Sequence, residues 1–170
     1  MLKGFTRTTI DPLAARNLRL EIEEFHAEYC AAVDENRIAD WPAFFTENAV
    51  YRVTGRENAE SDLPVSLVYC EGMGMLRDRA LAIAKTAMYA PRYLQHMVSN
   101  VRVLGVDRDG MISAQANYIV LQTLVDEKTT LHQAGRYFDR FVRDGSRLLL
   151  RERHCVYDSL LIDNTVVMPV

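Results

Sequence analysis

Three histidines of this chain, His96, His132 and His154, fall on what read as three different strands. Two imidazoles and a carboxylate on a rigid scaffold could hold a non-haem iron. The spacing argues against it. The chain has only four His and three Cys, and no pair among these three histidines stands at a short helical or hairpin interval. It contains no C-x-H and no C-x-x-C, the patterns a zinc or redox site would use. A second chemistry is proton transfer. Glu152, His154 and Tyr118, joined by Tyr29 and Tyr51, could line a cavity between a curved sheet and its helices and act as acid and base. The plainer alternative is a paired Glu and His in a polar patch of core or interface. Nucleophilic catalysis finds no footing, because no serine lies in a G-x-S-x-G context. Cys155 and His154, as strand neighbours, point to opposite faces.

Charge supplies a third possibility. Between Arg136 and Asp158 stand six arginines (136, 140, 143, 147, 151, 153) and four acids (Asp139, Asp144, Glu152, Asp158), a net of 6 − 4 = +2. Phosphate could bind such a strand, but mixed signs at this density point to cross-strand ion pairs or a protein interface. With a whole-chain charge of -3, neither nucleic acid nor an anionic membrane is an expected partner. Met and Tyr gather around one helix and its exit (Tyr69, Met73, Met75, Met88, Tyr89, Tyr93), which suits either a contact surface or a core.

The elements that would position these groups are legible from periodicity. Asp11-Pro12 is a helix start, and Leu18, Ile22, Phe25, Tyr29 and Val33 mark the buried stripe of the helix that follows. Asp40 caps a short second helix, WPAFFTE. Ala49 to Thr54 reads as a first strand, and residues 55 to 63 as a mobile polar loop. Leu76, Ala80, Ile83 and Ala87 mark a third helix that Pro91 ends. Four long strands follow, roughly 96–106, 111–124, 129–142 and 147–158, separated by Asp109-Gly110, residues 125 to 128, and Asp144-Gly145. Consecutive strands with helices before them give an α+β fold: a curved antiparallel sheet packed on N-terminal helices.

Alternation puts Ile112, Ala114, Ala116, Tyr118, Val120 and Leu124 on one buried face. It puts Leu148, Leu150, Glu152, His154 and Val156 together, opposite Arg147, Arg151 and Arg153. A chain of 170 residues suits one domain over 1–170, with residues 1–18 a loosely held arm and the fold proper over 19–170. Three scattered cysteines, no long apolar run and no signal-like start lead us to expect a cytoplasmic protein.

Several segments together resemble the small (beta) subunits of bacterial aromatic-ring-hydroxylating dioxygenases. Tyr69 to Arg79 resembles their Y-x-E-D-x-x-M-L-x-x-R segment, with Tyr69, Glu71, Met75, Leu76 and Arg79 in register. Gln95-His96-Met97-Val98-Ser99-Asn100 resembles their R-H-x-V-S-N strand. Gly135-Arg136-Tyr137 with Asp139, then Gly145, Leu148, Arg151 and Asp158, resembles their closing hairpin. The match runs from about Leu20 to Val170. Gly72 stands where the family usually has Asp, and Gln95 where it usually has Arg, which puts the partner surface in question.

The resemblance implies a cystatin-like, nuclear-transport-factor-2-like cone that associates as a trimer. It implies a large (alpha) subunit carrying a Rieske [2Fe-2S] cluster and a mononuclear iron, fed by a reductase or ferredoxin, with no cofactor, metal or catalytic residue in this chain. An aromatic carboxylate would be the substrate of the whole. Candidate subunit contacts are Tyr69, Glu71, Met73, Met75, Arg77, Tyr93, Arg136, Asp139 and Arg151. The alternative is a stand-alone dehydratase or isomerase using His154, Glu152 and Tyr118. A homo-oligomeric ligand-binding protein is a third option.

Overall fold

The Asp11 carboxylate accepts from the amides of Leu13 and Ala14 at 3.0 and 2.9 Å, and so opens helix α1 (Pro12–Asp34) in the computed structural model, which describes residues 2, 4–159, 161 and 166–170. A 3-10 turn (Trp41–Phe44) leads into β1 (Phe45–Gly55), α2 (Arg56–Glu60), β2 (Val68–Glu71) and α3 (Gly72–Lys85). Four long strands complete the described elements: β3 (Arg92–Val106), β4 (Ile112–Leu124), β5 (Thr130–Asp144) and β6 (Arg147–Tyr157). The expected mobile loop thus contains a helix, and β2, a four-residue strand, had no periodicity to announce it.

The strands form one sheet in the order β2-β1-β6-β5-β4-β3. Gly110 and Gly145 take positive φ, 83° and 57°, at two of the turns of the β3–β6 meander. The sheet is not wholly antiparallel: β6 returns beside β1 and pairs with it in parallel. Helices α1 and α3 pack on the concave face and close the main core with Ile22, Tyr29, Trp41, Leu76, Tyr118 and Leu150.

Register decides what faces that core. The β5–β6 ladder shifts between Arg140 and Phe141, so that Arg140 pairs with Glu152 but Phe141 with Leu150. Arg151 is the extra residue of a bulge, and a bulge reverses the alternation beyond it. Leu148 and Leu150 point inward as expected. Past the bulge it is Arg153 and Cys155 that point inward, while Glu152, His154 and Val156 turn to the outer face. Arg153, expected on the exposed side, is 0% exposed.

The outer face has its own smaller core of Phe5, Ala59, Leu104, Phe138 and Val156. Residues 5 to 8, expected to be loosely held, lie against this face. Phe5 is 2% exposed, edge-on to Phe138 and under the Arg140 guanidinium. The Thr8 amide donates to the Leu104 carbonyl at 2.8 Å.

Candidate functional site

The bulge brings one ion pair into the centre of the cone. Arg153 Nε and Nη2 donate to the two Asp139 oxygens at 3.0 and 2.8 Å, a bidentate contact between directly paired strand residues. The same Nη2 donates to His26 Nδ1 at 3.0 Å, which requires that ring nitrogen to be unprotonated. Tyr29 and Tyr137 sandwich the guanidinium, each ring centroid 4.2 Å from its carbon. Tyr137 stacks in turn on Tyr118, whose hydroxyl donates to Gln133 at 2.6 Å. The Tyr118 hydroxyl also overlies Gly135, where an added Cβ would come within 2.9 Å of it and 2.2 Å of the Val156 carbonyl. Only glycine fits there.

The mouth of the cone is filled by the chain itself. Met168 and Val170 are buried in the main core. Trp41 Nε1 donates to the Tyr29 hydroxyl, Tyr29 donates to the Val170 carbonyl at 3.0 Å, and the Val170 amide donates to the Tyr51 hydroxyl at 2.9 Å. Arg79 holds the carbonyls of Val166 and Val167.

Burial raises Tyr29, Tyr51, Tyr118 and Tyr137, so each stays a protonated phenol. It also pushes the Asp139 carboxyl up, against the pull of Arg153. The imidazole, the phenols and the ion pair are bonded to one another and to the chain's own backbone, under a mouth that Met168 and Val170 fill.

The three residues considered for acid–base work do not converge. Tyr118 is on the concave face, whereas Glu152 and His154 are on the outer one, because the bulge at Arg151 reverses β6. Glu152 is held between two arginines, Arg52 at 2.7 Å and Arg140 at 2.9 Å. Of the contact candidates, Tyr69, Glu71, Met75, Arg77 and Tyr93 are exposed, and Arg136 and Arg151 are partly so. Met73 and Asp139 are buried in one chain and cannot present a surface: Met73 faces the sheet from α3, and Asp139 holds Arg153.

Two groups that sequence reasoning missed are His26, hidden in the apolar stripe of α1, and a close pair at the start of β3. There Asp34 accepts from His96 at both the backbone amide (2.8 Å) and Nδ1 (2.5 Å), leaving Nε2 buried without a partner. Among the described residues, no group of three His, Cys, Asp or Glu is placed to hold a metal ion. No described helix is long and apolar enough to cross a membrane.

The buried histidines make stability depend on pH. Burial, then the Arg153 charge, holds His26 well below the ordinary 6.5, and burial, then Arg52, pushes His154 down to about 3. Both stay neutral in the folded protein while the unfolded chain binds protons near pH 6.5. The stability they contribute is therefore complete above that pH and is lost as pH falls toward 3, at about 1.4 kcal/mol per unit per histidine. Urea denaturation at pH 6 and pH 5 is expected to differ by roughly 2 kcal/mol. A His154→Phe variant should show about half that difference. A flat profile would contradict the assignment.

A model of the SnoaL-like domain family matches residues 14–154. The anthranilate 1,2-dioxygenase small subunit of Burkholderia cepacia is 32% identical over 150 residues, 88% of this chain and 92% of that protein. The beta 1 subunit of the terminal oxygenase component of terephthalate 1,2-dioxygenase from Comamonas sp. is 29% identical over 151 residues, 89% and 97% of the two chains. A crystal structure of a beta subunit assigned to an aromatic-ring-hydroxylating dioxygenase of Novosphingobium aromaticivorans superposes with TM-score 0.81 at 35% identity, covering 90% of this chain and 96% of that one. With a closed cone, no converging acid–base set and relatives matched nearly end to end, the chain belongs to the SnoaL-like family and, within it, to the small subunits of aromatic-ring-hydroxylating dioxygenases.

Proposed function

We propose that this chain is the structural small subunit of a cytoplasmic multicomponent oxygenase whose substrate is an aromatic carboxylate. The large subunit carries the Rieske cluster and the mononuclear iron and receives electrons from a reductase or ferredoxin. The small subunit holds copies of the large one in place. The observation that carries this reading is the near full-length match to a small subunit of anthranilate dioxygenase, on a chain whose central ion pair and Tyr29 hydroxyl are turned to packing.

Its surface divides in a way that suits two kinds of contact. On the outer face of β3–β5, Met97 pairs with Ile119 and Ile119 with Ala134, while Gln95 pairs with Leu121 and Leu121 with Leu131. With Tyr93, 75% exposed, these rows form an apolar face that carries no charged residue. Homo-oligomer interfaces are the more apolar class, and we assign this face to trimer formation. The Tyr69, Glu71, Met75, Arg77 and Arg151 surface is charged and mixed, and we assign it to the large subunit.

The test is reconstitution. The chain alone is expected to purify without iron and to hydroxylate none of anthranilate, terephthalate or benzoate in the presence of reductase and NADH. Co-expression with its large subunit should give a stable complex that hydroxylates at least one. Turnover by the chain alone, or full activity of a large subunit prepared without it, would sink the reading.

A further inference from the structure

The outer-face cavity beside β1 and β6 meets the surface assigned to the large subunit only at Tyr69. Its volume is about 490 Å³, within the range of small-molecule sites, and its lining includes Arg52, Thr54, Leu63, Pro64, Ser66 and His154. His154 is 4% exposed, yet both its ring nitrogens are buried with no partner, and Arg52 Nε is in the same condition. Each such atom costs about 1–3 kcal/mol if nothing satisfies it, and native structures keep few of them. Here three belong to two neighbouring residues of one cavity, Arg52 and His154 being directly paired across β1 and β6.

The unused donors indicate what satisfies them. Glu152 takes Arg52 Nη2 and Arg140 Nη1, which leaves Arg52 Nε without an acceptor. Asp62, also on the wall, has a contact of its own. A guanidinium N–H and an imidazole N–H side by side match the two oxygens of a carboxylate. Leu63 and Pro64 offer an apolar wall for its ring, and the Thr54–Ser66 hydroxyl pair, 3.1 Å apart, a polar one.

We propose that this cavity binds a small aromatic carboxylate, its carboxylate received by Arg52 and His154 and its ring laid against Leu63 and Pro64. The site lies across the sheet from Tyr118 and the Arg153–Asp139 pair and belongs to this chain by itself. It does not rest on the assembly reading.

Titration calorimetry on the full chain tests it, with benzoate as probe and benzamide as the neutral isostere. Benzoate is expected to bind saturably at one site. Benzamide should bind at least about tenfold more weakly, as should benzoate to Arg52→Met and to His154→Phe, while Tyr118→Phe on the far face leaves affinity unchanged. No saturable benzoate binding, equal binding of benzamide, or unchanged affinity in folded Arg52→Met would each overturn the proposal. If the variants fail to fold, the benzoate–benzamide comparison on the unaltered chain decides. Because no large subunit is present, a negative result here leaves the reconstitution experiment untouched.

Discussion

Asp139→Asn is expected to lower the stability of the isolated chain by about 3–5 kcal/mol, the cost of stranding one charge of a buried pair. For a domain of this size that corresponds to a fall in melting temperature of roughly 10 °C or more. Arg153 is wholly enclosed, and its two bidentate bonds end on that carboxylate. The remaining neighbours cannot replace it. His26 is neutral and offers Arg153 only the lone pair of Nδ1, and the Tyr29 and Tyr137 rings offer their faces but no charge. The pair as a whole is a different matter. Taking both charges out of water costs nearly what their attraction returns, so Asp139→Leu with Arg153→Met should recover most of the loss. Denaturation of the single and double variants measures this directly. A loss under about 1 kcal/mol for Asp139→Asn would mean that water reaches the pair and that the cone is open.

That pair was hidden in the sequence for a physical reason. Alternation along β6 is a count by twos, and the extra residue at Arg151 shifts every later side chain to the other face. Arg153 therefore looked like one more member of an exposed arginine row, and His154 and Glu152 looked like pocket residues. Local signals fared better. Asp11-Pro12 marked α1 because capping is decided within four residues, and Asp109-Gly110 and Asp144-Gly145 marked hairpins because positive φ is a property of the turn alone. Face assignment on β4 also held, since its alternation from Ile112 to Val120 is unbroken. What required distant partners was not legible: the parallel return of β6 beside β1, the seat of Phe5 on the outer sheet, and the insertion of Val170 between Tyr29 and Tyr51. His26 stayed hidden because an apolar stripe gives no sign of the one imidazole that an arginine on another strand requires.

For the proposed trimer, substituting Met97→Glu together with Leu131→Glu is expected to give a monomer while leaving the fold intact. Both side chains are exposed in the single chain, so each change should cost it no more than about 0.5 kcal/mol. In an association that buries the apolar rows of β3–β5, each buried carboxylate would remove about 2 kcal/mol or more of binding, roughly a thousandfold together. The positions sit in adjacent rows on strands separated by β4, and Arg136, the cation one row further along the outer face of β5, is already paired with Asp158. Sedimentation velocity at micromolar concentration reads the oligomer, and circular dichroism reads the fold. Arg77→Ala with Arg151→Ala provides the reverse case: self-association unchanged, capture of the large subunit weakened. If Met97→Glu with Leu131→Glu sediments as the unaltered chain does, the copies meet through another surface. The charge-free rows would then be a face for the large subunit, and the division of the surface argued from their composition would have to be reversed.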